Sequence, residues 1–83
     1  MINRKPKKEQ PITKTTVINV VISHFEGMSP EQMSIIFGRS LKSIQNILDK
    51  TISTGVYNQI IERWRKRAPL LYERALKKRA MRN

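Results

Sequence analysis

Four polar side chains recur on one predicted helical face, and their chemistry suits hydrogen bonding to nucleic-acid bases. The residues with this i, i+3, i+4, i+7 spacing are Lys42, Gln45, Asn46 and Asp49. Glutamine and asparagine amides can pair with adenine through two hydrogen bonds, lysine can donate to guanine, and a carboxylate can accept from the cytosine amino group. The spacing predicts either a base-reading surface or a helix face that is only solvated.

The opposite face of the same segment is apolar and predicts a helix from about Leu41 to Thr51. Ser40 is a typical N-cap residue, and Thr54-Gly55 is a typical helix break. The residues expected to anchor this helix in the core are Leu41, Ile44, Ile47, Leu48 and Thr51.

A shorter helix is predicted immediately before it. Ser29 suits the N-cap, Pro30 suits the first helical position, and Gln32 completes a capping box. Gly38 ends the helix because the turn needs a positive φ. We expect Met33, Ile36 and Phe37 to be buried, with the small Ser34 facing a neighbouring helix.

Two short helices meeting at Gly38 resemble the helix-turn-helix family of DNA-binding domains. The stretch FGRSLKSIQNIL is similar to the recognition-helix segment of sigma-factor region four, Myb-like domains and related bacteriophage or bacterial regulators. The matching residues are Ser34, Gly38, Ile44 and Ile47. Arg39 departs from the pattern, because such turns often carry an aliphatic residue there.

This resemblance implies a sequence-specific double-stranded DNA-binding protein, most simply a transcriptional regulator, whose third helix enters the major groove. Asp49 would either repel the DNA backbone or accept from a cytosine amino group. Arg39 and Ser29 would contact phosphates, the latter beside a helix N-terminus that attracts anions. The residues expected to face bases are Ser40, Lys42, Gln45 and Asn46.

The formal charge of +11 is concentrated at the two ends of the chain. The net charge is +4 over residues 1–14, −1 over 15–62 and +8 over 63–83. Basic arms can grip a phosphate backbone, although basic ends are also common as solvated tails. Minor-groove contacts are expected from Arg4, Lys5, Lys7 and Lys8, and phosphate contacts from Arg63, Arg65, Lys66 and Arg67. A mobile tail is expected to contain Arg74, Lys77, Lys78, Arg79 and Arg82.

The whole chain is predicted to be all-α, with four or five short helices. Residues 1–14 form a flexible basic arm, 15–68 the helix-turn-helix domain and 69–83 a basic helix or tail. The first helix is expected from about Thr15 to Glu26, although its many β-branched residues also suit a strand. A fourth helix begins near Val56, with Tyr57, Ile60, Ile61, Trp64 and Ala68 facing inward. Pro69 either kinks it or opens a fifth helix with an apolar stripe of Leu71, Tyr72, Ala75 and Leu76.

The chain offers little that would support catalysis or a cofactor. It has no Cys, and its single His24 is expected to be packed rather than to bind a metal. No paired carboxylates, phosphate-binding glycine loop or membrane-length apolar run is present, so a cytoplasmic, nucleoid-associated protein that is not an enzyme is expected.

Alternative functions are docking on RNA polymerase or another nucleic-acid machine, and RNA binding. A homodimer seam is possible at Leu70, Leu71, Tyr72 and Leu76, as is burial of these residues in the fold's own core.

Overall fold

Five α-helices account for all of the regular structure in residues 11–81, the part of the chain that a computed structural model describes. The prediction of an all-α fold is therefore confirmed. The arm residues Arg4, Lys5, Lys7 and Lys8, and the C-terminal Arg82, lie outside the described residues. The helices are α1 (Lys14–Phe25), α2 (Pro30–Phe37), α3 (Leu41–Ser53), α4 (Val56–Arg67) and α5 (Pro69–Met81).

The core lies where α1, α2 and α3 meet, and α4 packs against α1 and α3. Its buried cluster consists of Val20, Met33, Ile44, Ile47 and Leu48. The β-branched first segment is a helix because Val20 and Val21 are completely buried on one helical face. Burial against neighbouring helices outweighs the strand preference of such residues.

The starts of α1, α2 and α3 are defined by hydrogen-bonding side-chain caps. The Thr13 hydroxyl accepts from the Thr16 amide, so α1 begins one residue earlier than expected and also ends one residue earlier. At α2, the Ser29 hydroxyl accepts from the Gln32 amide while the Gln32 side-chain oxygen accepts from the Ser29 amide. This confirms the predicted capping box.

The turn between α2 and α3 is closed by Gly38 and by two hydrogen bonds across it. Gly38 has φ +68°, the left-handed conformation that the sequence predicts. The Arg39 amide donates to the Ser34 carbonyl at 3.1 Å, and the Ser34 hydroxyl donates to the Arg39 carbonyl at 2.6 Å. Ser34 therefore fixes the chain reversal as well as providing a small side chain.

Replacing Gly38 with alanine is expected to lower the free energy of unfolding by about 1–2 kcal/mol, which denaturant unfolding would measure. A Cβ at this position meets nothing within 4 Å, so the cost comes from the positive φ alone. Gly38→Asn should lose less, because asparagine tolerates this conformation. Equal stability of Gly38→Ala and the wild type would contradict the turn described here.

Four apolar residues expected to be buried are instead exposed. Leu41 is 36 % exposed because it is the first residue of α3, at the end of the buried face. Ile36 is 62 % exposed. The side of α2 that faces the core carries Met33, Ser34 and Phe37, and the Ile36 side chain lies outside that side of the helix. On α5, Leu71 and Leu76 are 53 % and 41 % exposed, whereas Ala75 is buried. The predicted four-residue stripe is therefore wrong for these two leucines.

An aromatic cluster attaches α5 to the rest of the fold. The Phe25 ring stacks on Tyr72 with ring centroids 5.4 Å apart, and Trp64 meets both rings edge-on. The Arg79 guanidinium lies over the Phe25 ring, 4.6 Å from the ring centroid. Of the two alternatives for Pro69, the structure shows a new helix, since Ala68 leaves the helical conformation before it. Arg74, Lys77, Lys78 and Arg79, expected in a mobile tail, lie on α5 instead.

His24 should make the stability of the protein depend on pH in the mildly acidic range. Its ring meets Tyr57 edge-on at 5.7 Å, and burial, with a smaller contribution from the charge of Arg79, lowers its pKa below 6.5. The unfolded chain therefore binds a proton more readily, so the free energy of unfolding should fall as pH drops from about 7 to about 5. His24→Gln should flatten this slope in urea unfolding. An unchanged slope would assign the effect to other groups.

Candidate nucleic-acid interface

The outward face of α3 carries the polar residues that the sequence singles out. Lys42, Gln45, Asn46 and Asp49 are all exposed, while Ile44, Ile47 and Leu48 are buried directly beneath them. No hydrogen bond or ion pair within residues 11–81 engages the four polar side chains. Their amide, ammonium and carboxylate groups therefore remain available to a partner.

Two predicted contact residues have their hydroxyl oxygens engaged in helix capping. The Ser40 hydroxyl oxygen accepts from the Ser43 amide at 3.1 Å, which starts α3. The Ser29 hydroxyl and amide both belong to the α2 capping box. Each serine thus has a structural role that explains its presence without any external ligand.

Arg39 lies beside the chain that leads to the N-terminal arm. Its guanidinium donates to the Pro11 carbonyl oxygen at 3.3 Å, and its side chain is half-buried. The contact joins residues 28 positions apart in the sequence. Pro11, the first residue that the structure describes, therefore lies next to the turn that precedes α3. The sequence predicted a phosphate contact for Arg39 and gave no sign of this contact.

The four basic residues predicted on α4 are all exposed, but they point in different directions. Arg65 forms an ion pair with Glu62 at 2.7 Å, and its hydrogen bond lowers the pKa of the Glu62 carboxyl. Arg63 and Arg67 lie one helical turn apart and border a groove between α1 and α4. Lys66 does not line that groove. One helix thus divides its positive charge between separate surfaces.

The groove between α1 and α4 is a feature that the sequence analysis missed. It encloses about 480 Å³, and most of its lining is apolar. Of the α4 residues that line it, only Ile60 and Trp64 were predicted to face inward, and only the pairing of α1 with α4 leaves a gap between the two helices. No periodicity within either helix signals such a gap.

Other kinds of site find no support in the described part of the chain. No group of three or more His, Asp or Glu side chains within residues 11–81 is arranged to hold a metal ion. Over the same residues, no helix has the length and apolar character needed to cross a membrane. Comparisons of the chain with protein-family models, curated proteins and solved structures found no match. The function must therefore be argued from the site itself.

Proposed function

We propose that this protein binds double-stranded DNA sequence-specifically, as a transcriptional regulator that places α3 in the major groove. The observation that carries the proposal is the exposed ridge of Lys42, Gln45, Asn46 and Asp49 above a buried aliphatic face. A ridge of this kind lets a helix approach base edges while its other side keeps it attached to the fold. Such a protein would act in the cytoplasm, associated with the nucleoid.

The basic residues around this ridge would supply affinity that does not depend on sequence. Arg4 and Lys5 of the arm would reach the minor groove, starting from the position where Arg39 contacts Pro11. Arg65 and Lys66, the exposed cations of α4 that do not line the groove, would attract the phosphate backbone. Each phosphate contact is expected to add about 0.9 to the slope of log affinity against log salt concentration.

Selection of bound duplexes from a random pool, at a stated salt concentration, tests the proposal directly. Enrichment of one consensus of a few base pairs is expected, because a single short helix reads few positions. Recovery of unenriched sequences would contradict the proposal. Binding to RNA polymerase without any duplex preference would favour the interaction-protein alternative, and preferential retention of single-stranded RNA would favour an RNA-binding protein.

The arrangement of the selected sequence would also report the number of copies bound. A palindrome with half-sites about 10 base pairs apart would indicate a two-fold symmetric dimer. The exposed Leu70, Leu71 and Leu76 offer an apolar contact for such a dimer. A single half-site would indicate a monomer.

A further inference from the structure

The groove between α1 and α4 combines an apolar floor with a basic border. Its floor is formed by Val17, Ile18 and Ile22 of α1 and by Val56, Ile60 and Trp64 of α4. The charged residues that line it are Lys14, Arg63 and Arg67, and no acidic residue does so. The three cations make no ion pair within residues 11–81, where Arg65 pairs with Glu62 instead.

Duplex DNA does not match this surface. Its accessible exterior is phosphate, sugar and hydrogen-bonding base edges, and an apolar floor needs apolar groups to displace its water. The cations occupy both walls, since Lys14 belongs to α1 while Arg63 and Arg67 belong to α4. A small amphiphile carries one anionic head, whereas this groove presents three cations. A ligand with anions on both flanks of an apolar stripe fits all three charges.

We propose that this groove binds an acidic amphipathic helix of a partner protein. Each wall is a helix of 12 residues, which is about 18 Å long and suits a partner segment of about three turns. Apolar anchors spaced i, i+3, i+4 and i+7 would enter the groove, and Asp or Glu on both flanks would pair with Lys14, Arg63 and Arg67. This binding does not depend on the DNA-binding function proposed above.

The test uses Trp64, the only tryptophan of the chain, as a reporter within the groove. Two synthetic peptides of about 14 residues, without tryptophan, would share one leucine stripe at helical spacing. One carries Glu on both flanks of the stripe and the other carries Lys. The Glu peptide is expected to change Trp64 fluorescence saturably and to bind at least about tenfold more tightly than the Lys peptide.

Charge-reversal variants separate the groove from the general positive charge of the protein. Arg63→Glu with Arg67→Glu is expected to weaken binding of the Glu peptide at least about tenfold. Lys66→Glu with Lys77→Glu makes the same change in net charge outside the groove, and should weaken binding less than about twofold. Arg63→Gln with Arg67→Gln repeats the test without charge reversal, and circular dichroism confirms folding of each variant.

Several results would overturn the proposal. Equal losses in the two charge-reversal variants would show attraction by net charge alone. A saturable response to sodium dodecanoate, with none to the Glu peptide, would identify a small amphiphile as the occupant. Loss of duplex binding in the Arg63 and Arg67 variants, with peptide binding unchanged, would assign these residues to DNA. Peptide binding without any duplex preference would support this proposal while contradicting the DNA-binding one.

Discussion

Replacing both Gln45 and Asn46 with alanine is expected to weaken binding to a selected duplex by about 2 kcal/mol or more, roughly 30-fold. Each amide can form two hydrogen bonds with an adenine, and both side chains are exposed on the outward face of α3. Binding to an unrelated duplex should change less than about twofold, because the phosphate contacts remain. Fluorescence anisotropy with both duplexes at one salt concentration measures the two effects.

A matched control is available on another helix. Asn58 and Gln59 are an exposed amide pair on α4, so Asn58→Ala with Gln59→Ala makes the same chemical change away from the ridge. This control should leave both affinities unchanged. If the two double variants lost affinity equally, or if the Gln45 and Asn46 variant lost none, base reading by α3 would be excluded.

Replacing Ile44 with alanine is expected to lower the free energy of unfolding by about 3–4 kcal/mol. Ile44 is completely buried, and it joins α3 to Val20 of α1 and Met33 of α2 in one cluster. The loss combines the burial of the deleted groups with the cavity left behind. For a domain of this size the melting temperature should fall by roughly 15 to 25 °C, measured by thermal circular dichroism.

Ile35→Ala makes the identical change at a position that is 81 % exposed, on the outer side of α2. Its effect should stay within about 0.5 kcal/mol of the wild type. The contrast tests which side of α3 holds the fold together, and therefore which side can face a partner. Comparable losses in the two variants would mean that Ile44 does not lie in the core.

The helix ends and the turn before α3 could be predicted because their causes are local. Ser29, Gln32 and Ser40 form hydrogen bonds with amides three residues away, and Gly38 is needed for the conformation of one residue. Pro69 similarly opens α5 through its own fixed geometry and its effect on the preceding residue. Such interactions can be inferred without knowing which helices pack together.

The wrong predictions concern residues whose burial depends on how a neighbouring helix packs. Ile36, Leu71 and Leu76 have the spacing of buried residues, but the helices that pack on α2 and α5 cover other parts of each surface. Arg79 looked like part of a solvated tail, whereas it lies over Phe25, 54 positions earlier in the chain. Hydrophobic spacing identifies a possible inward face and leaves its centre undetermined.

The amino-acid sequence by itself determined an all-α fold of four or five helices, the caps at Ser29 and Ser40, the Gly38 turn and the polar face of α3 centred on Gln45. These follow from hydrogen bonds within one turn and from the alternation of polar and apolar residues along one helix. Only the tertiary structure decided that α5 docks through Phe25 and Tyr72, that Arg39 contacts Pro11 and that α1 and α4 border a basic groove. Each of these contacts joins residues distant in sequence, and their geometry depends on how whole helices pack.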